Sequence, residues 1–120
     1  MEHFIRYSTV GALATALHYL VLVLCVEYAG WPAFAASGFG AVVGAQLAYA
    51  GNRWFTFAHR GAVLASWPRF QATALIGALL GMAVVAAGVR LGVHYLIAQL
   101  LATLASLALT FTINKVWTFR

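Results

Sequence analysis

The sequence predicts an all-α membrane protein: four transmembrane helices forming two parallel-repeat helical hairpins, with both termini cytoplasmic. Three observations predict it. Of 120 residues, 64% are hydrophobic and 8% charged, with mean hydropathy +0.92. A soluble domain of this length needs far more charge to coat its surface, so lipid must complete the fold. Four apolar runs approach the roughly 20 residues that cross a bilayer as helix. Finally, a six-residue edge, Asn52-Arg53-Trp54-Phe55-Thr56-Phe57, closes the second run, and a near copy, Asn114-Lys115-Val116-Trp117-Thr118-Phe119, closes the fourth. Apolar and polar residues do not alternate with period two, which disfavours a membrane β-barrel. The whole chain, 1–120, reads as a single transmembrane domain.

The first span is Phe4–Val26. It is about as long as a full crossing and has no short core with a small-residue cleavage site, so it is not a signal peptide. Glu27 to Ala33 is a brief connection without Lys or Arg, and its Gly30-Trp31-Pro32 is a turn with an interfacial aromatic. The second span, Phe34–Gly51, is short and Gly-rich. Asn52 to Arg69 is the longest connection and carries Arg53, His59, Arg60 and Arg69. The third span is Phe70–Val89, a short Arg90–His94 connection follows, and the fourth span is Tyr95–Ile113. With four crossings, Arg90 is the only one of the seven cations on its side, and the positive-inside rule places the other side in the cytoplasm.

The halves repeat. Phe4 precedes Gly11 by the same offset as Phe70 precedes Gly77, and each half ends on the Asn-base-x-aromatic-Thr-Phe edge. Both hairpins start from the same face, so the pseudo-two-fold axis runs along the membrane normal. Gly40/Gly44, Gly77/Gly81 and Gly88/Gly92 have the spacing that lets helices approach closely in lipid. Four spans enclose little space, so the sequence predicts a homo-oligomer, most simply a dimer.

At the two edges, Arg53 and Lys115 suit a phosphate at head-group depth, Arg as a planar fork and Lys as a point charge. Asn52 and Asn114 supply amide donors or cap their helices. Trp54 and Trp117 fit an interfacial aromatic belt. Topology anchoring alone explains the cations and rings, but an anchor has no use for the repeated Asn and Thr, which favour a binding role.

Polar residues also lie within the spans. Gly11, Thr15 and His18 share a helical face, as do Gln46, Tyr49 and Arg53. On the fourth span, Gln99, Thr103, Ser106, Thr110 and Asn114 make one polar stripe about 22 Å long. A stripe facing lipid is costly, so it faces another helix or a wet cavity. Its hydroxyls serve either as helix-to-helix glue or as a pathway lining. His18 is either a hydrogen-bonded core imidazole or a working group.

The residue set argues against an enzyme. The only acids, Glu2 and Glu27, fall on opposite faces. The four histidines have no metal-ligand spacing, Cys25 stands alone, and no phosphate-binding glycine loop is present. No metal or cofactor is expected. The net charge of +5 suits anionic lipid, while the scattered cations form no nucleic-acid patch.

The chain resembles the GtrA-like family of small four-span membrane proteins. The resemblance rests on Arg6-Tyr7, Val10-Gly11, Thr15 and His18-Tyr19 in the first helix, and on the two edges at Asn52-Arg53 and Asn114-Lys115. Where many relatives carry Asn-Thr and an acid in the first helix, this chain has Ala14-Thr15 and His18. The resemblance implies flipping of a polyprenyl-phosphate-linked sugar across the bacterial cytoplasmic (inner) membrane, for cell-surface polysaccharide synthesis or modification. Asn52, Arg53, Asn114 and Lys115 would then hold the lipid phosphate. His18, Thr15, Gln46, Tyr49, Gln99, Thr103, Trp54 and Trp117 would line the sugar or its path. The alternative is a membrane scaffold that recruits a glycosyltransferase and transports nothing. A small multidrug-type exporter fits less well, because it needs a carboxylate within the first span.

Overall fold

The computed structural model describes residues 2–51 and 63–113. Within them are four helices: α1 (Glu2–Glu27), α2 (Ala33–Gly51), α3 (Val63–Arg90) and α4 (Tyr95–Ile113). Their apolar segments, Ser8–Glu27, Ala33–Gly51, Trp67–Arg90 and Tyr95–Ile113, are each long and apolar enough to cross a membrane. α4 has the bounds expected from sequence. α3 differs, starting at Val63 and running through Pro68, ahead of the apolar run. Hydropathy marks where hydrocarbon begins, whereas the helix extends past that boundary. Pro68 lies in the second turn of α3, where it withdraws one donor from the helix ladder.

Both hairpin turns use a glycine in the left-handed region, Gly30 at φ 74° and Gly92 at φ 86°. At the second turn, Gly92 N–H donates to Val89 O at 3.0 Å and Val93 N–H to Gly88 O at 2.9 Å. This doubly closed helix end needs glycine at its left-handed position. Gly92 is therefore a turn residue, and a Cβ there would meet nothing within 4 Å. The expected Gly88/Gly92 packing pair reduces to Gly88, which seats Ala98. The next helix starts three residues after each glycine. Pro32 O accepts from Ala36 N–H at 3.1 Å, and His94 O from Ala98 N–H at 3.0 Å. His94 Nδ1 also accepts from Leu96 N–H at 3.1 Å, capping α4 with a side chain.

Packing is broad between α1 and α2, α2 and α3, and α3 and α4. The two outer interfaces close through glycine. A Cβ on Gly40 would lie 2.7 Å from both His18 Cδ2 and His18 O, and one on Gly44 2.8 Å from Ala14 O. A Cβ on Gly77 would lie 2.8 Å from Thr110 Cγ2, and one on Gly81 3.4 Å from Ser106 Oγ. In the first hairpin the glycines are on α2 and receive α1. In the second they are on α3 and receive α4. Knob and hole have exchanged helices between the halves.

The repeat shows in burial. Leu22 and Val85 are fully buried, as are Ala36 and Ala98. Val10 and Ala14 on α1 correspond to Thr73 and Gly77 on α3, and all four are buried. The shift is 63 positions from α1 to α3 (22 to 85) and 62 from α2 to α4 (36 to 98). It is not the Gly11-to-Gly77 offset seen in sequence. Gly11 lies open, with nothing within 4 Å of its Cβ position, whereas Gly77 is packed. In a glycine-rich helix, matching glycines are a weaker guide to register than matching burial.

The bundle is small-residue inside and bulky outside. Leu13, Leu20, Leu75, Leu79, Leu104 and Phe111 are exposed, as on a surface bathed in hydrocarbon.

Candidate functional site

Leu22, Ala36, Val85 and Ala98 plug the bundle toward the hairpin turns. On the other side of that plug, a cleft of about 220 Å³ opens between all four helices. Helix α4 contributes Gln99, Thr103, Ser106, Leu107 and Thr110. Helix α2 contributes Ser37, Ala41, Gly44, Ala45 and Ala48. Each α4 position stands 62 residues after its α2 counterpart, from Ser37 and Gln99 to Ala48 and Thr110. The repeat therefore builds the cleft twice, with polar side chains concentrated on the second copy.

The polar stripe of α4 thus faces a cavity along its described length. Its upper end is a closed network. Gln99, 1% exposed, accepts on Oε1 from the buried Ser37 hydroxyl. Thr103 Oγ1 donates to Gln99 O at 2.9 Å and accepts from Gln99 Nε2 at 3.2 Å. The Tyr19 hydroxyl reaches Thr103 Oγ1 at 2.7 Å and Gln99 O at 3.3 Å. With Tyr19 donating, the Thr103 hydroxyl uses its one proton and both lone pairs. Lower down, Ser106 donates to Gly77 O at 2.9 Å, across helices, and Thr110 to Ser106 O at 2.8 Å, within its own helix. The hydroxyls bind helices together and line the cavity at once.

His18 lines the same cleft, with its ring against Gly40. Its ring meets Tyr19 edge-on, at 5.5 Å and 66°. Its Nε2 is buried and has no hydrogen-bond partner among the described residues. Buried polar atoms are seldom left so. Other atoms of His18 reach the cleft wall, while this nitrogen is itself enclosed by the packed helices. Thr15 is exposed and also lines the cleft.

Two expected lining residues are elsewhere. Gln46 exchanges two hydrogen bonds with Gln71, at 2.8 and 3.2 Å, and Tyr49 packs on Phe70 at 5.3 Å. Both sit at the α2–α3 interface. Gln46 is two positions from Gly44, so it points about 200° around the helix from the cavity face. The face it shares with Tyr49 is real but turned toward α3. Asn52, Arg53, Trp54, Asn114, Lys115 and Trp117 lie outside the described residues. α2 and α4 run parallel and end at Gly51 and Ile113, immediately before the two edges.

Sequence reasoning passed over Ser37, which looked like one small residue among many. Its signal was its place 62 residues before Gln99. Tyr19 was noted only beside His18, and its link to α4 needed the tertiary structure.

The sequence profile of the GtrA/DPMS transmembrane domain matches residues 6–120. The chain belongs to the GtrA/DPMS transmembrane-domain family. It is a multi-pass membrane protein of a family involved in handling lipid-linked sugars. No curated protein and no solved structure matches it. Within this family's four-helix frame, the cleft is lined by side chains from all four helices, and so from both hairpins.

Proposed function

We propose that the chain flips a polyprenyl-phosphate-linked sugar across the bacterial cytoplasmic membrane, supplying cell-surface polysaccharide synthesis or modification. The observation that carries this reading is a cleft inside the apolar bundle that is lined from all four helices, carries Thr15, His18 and the α4 polar stripe among small apolar residues, and is closed toward the turns by Leu22, Ala36, Val85 and Ala98. A sugar needs hydroxyl partners at membrane depth, and the exposed Thr15, with Ser106 and Thr110 lower on the α4 stripe, offers them beside the closed Gln99–Thr103 network. The phosphate needs cations at head-group depth, and Arg53 and Lys115 follow directly on the parallel ends of α2 and α4. On this reading both termini are cytoplasmic. The chain performs no covalent chemistry, and consumption of the sugar donor outside drives net movement. A homodimer and a membrane glycosyltransferase are the partners this role would use.

The test is flipping of a labelled polyprenyl-phosphate sugar in vesicles containing the purified protein alone. Wild type should move it. Ala41→Trp, which fills the cleft from α2, should slow movement at least tenfold while the protein still elutes as a folded species. Flipping unaltered by Ala41→Trp rejects the cleft as the route. Co-purification with a glycosyltransferase and no flipping would favour the scaffold role instead.

A further inference from the structure

The two-fold repeat of the bundle is broken at one seam. The repeat carries α1 onto α3 and α2 onto α4, so the α2–α3 interface and the α4–α1 interface should be equivalent. They are not. α2 and α3 pack broadly, through Met82 against Gly38, the Gln46–Gln71 amide pair and Tyr49 on Phe70. α1 and α4 have no comparable contact. They are pinned at the turn end by Tyr95 O–H donating to Glu27 Oε2 at 2.7 Å. They are pinned again mid-span by Tyr19 on Thr103 and Gln99. One helical turn beyond that second pin, away from the hairpin turns, stand Thr15 and Leu107. Both line the cleft, yet both are exposed, Leu107 by 60%. Their repeat counterparts are covered: Ala78 is 6% exposed and Ala45 is half-buried.

We infer that the α1–α4 seam between Thr15 and Leu107 is a lateral portal that holds the hydrocarbon chain of a prenyl phosphate while its polar head occupies the cleft. The inference rests on the flipping role proposed above. Two physical facts require such an arrangement. A cleft that sets hydroxyl groups among small apolar walls and opens sideways onto lipid suits an amphiphile, head inward and tail outward. The cleft, at about 220 Å³, is also smaller than the roughly 300–1,000 Å³ of pockets that enclose a drug-sized ligand. It has room for a head group, and a long hydrocarbon chain must remain outside. The equivalent α2–α3 interface is closed by its broad packing.

The experiment places a photoreactive amino acid singly at Thr15, Leu107 or Leu79. Leu79 is exposed on α3 and lines no part of the cleft. The full chain is reconstituted in vesicles of excess phosphatidylglycerol with a trace of labelled polyprenyl phosphate. Labelling at Thr15 and Leu107 should exceed that at Leu79 by about fivefold or more and vanish with excess unlabelled polyprenyl phosphate. Equal, non-competed labelling at all three positions overturns the portal. So does crosslinking of Leu107 to a second copy of the chain, which would make the seam a dimer contact. If the same protein still co-purifies with polyprenyl phosphate in those cases, the flipping role survives and only the portal falls. A chain that retains no polyprenyl phosphate overturns both.

Discussion

Gln99 is the residue on which the upper end of the cleft depends. It is almost wholly buried, and its amide joins Ser37 on α2 to Thr103 on its own helix, which in turn holds Tyr19 on α1. Three helices therefore meet at one side chain. Hydrogen bonds between membrane helices average about 0.6 kcal/mol and reach about 1.7. Stranding a buried partner adds to that loss. Gln99→Leu should therefore destabilise the bundle by about 1–2 kcal/mol, measured by unfolding in mixed micelles. Adding Ser37→Ala should recover part of this, because the stranded hydroxyl is then removed. If the two losses simply add, the bond carries no coupling. Tyr19→Phe should cost less, about 0.5–1.5 kcal/mol, and should loosen α1 from α4 without disturbing Gln99 or Ser37. The α4 polar stripe could be read from sequence because helical periodicity fixes which side chains share a face. The grouping of Gln46 with Tyr49 has the same origin. Periodicity groups residues on a face, but only packing decides what that face meets.

At the scale of elements, the helices were legible from hydropathy and the first turn from Gly30, but the turn role of Gly92 and the register between hairpins were not. The sequence offers Gly11 and Gly77 as equivalents, and packing separates them. A matched pair of substitutions checks this. Gly40→Ala puts a Cβ 2.7 Å from the His18 carbonyl. Backbone cannot move aside cheaply, so α1 and α2 must separate, at a cost of about 1–3 kcal/mol. Gly11→Ala meets nothing within 4 Å. It should be neutral or stabilise by up to about 1 kcal/mol through helix propensity. Comparable destabilisation by both substitutions would contradict the packing described for α1. Glycine spacing alone could not separate these cases, because Gly40 and Gly11 look alike until the neighbouring helix is in place.

For the whole molecule, the consequence of the repeat reaches the two Asn-base-x-aromatic-Thr-Phe edges. α2 and α4 are equivalent by burial and by their share of the cleft, and each edge follows its helix without a gap. A binding rim built this way should be two-sided, with Arg53 and Lys115 acting on one anionic group from equivalent positions. Arg53→Ala and Lys115→Ala should each weaken retention of polyprenyl phosphate by the purified protein, and the double variant should abolish it. Arg53→Ala should be the more damaging of the two, since a guanidinium grips phosphate with two parallel bonds. Both effects should shrink as ionic strength rises, because salt screens the charge pairs that the substitutions remove. Retention measured by mass spectrometry distinguishes the cases. Loss on Arg53→Ala with no response to Lys115→Ala would mean that the repeat was kept for the bundle's packing and not for the rim. Retention by the double variant equal to wild type would leave the edges as topology anchors, and the cleft would then have to hold its ligand through Thr15, Ser106 and Thr110 alone.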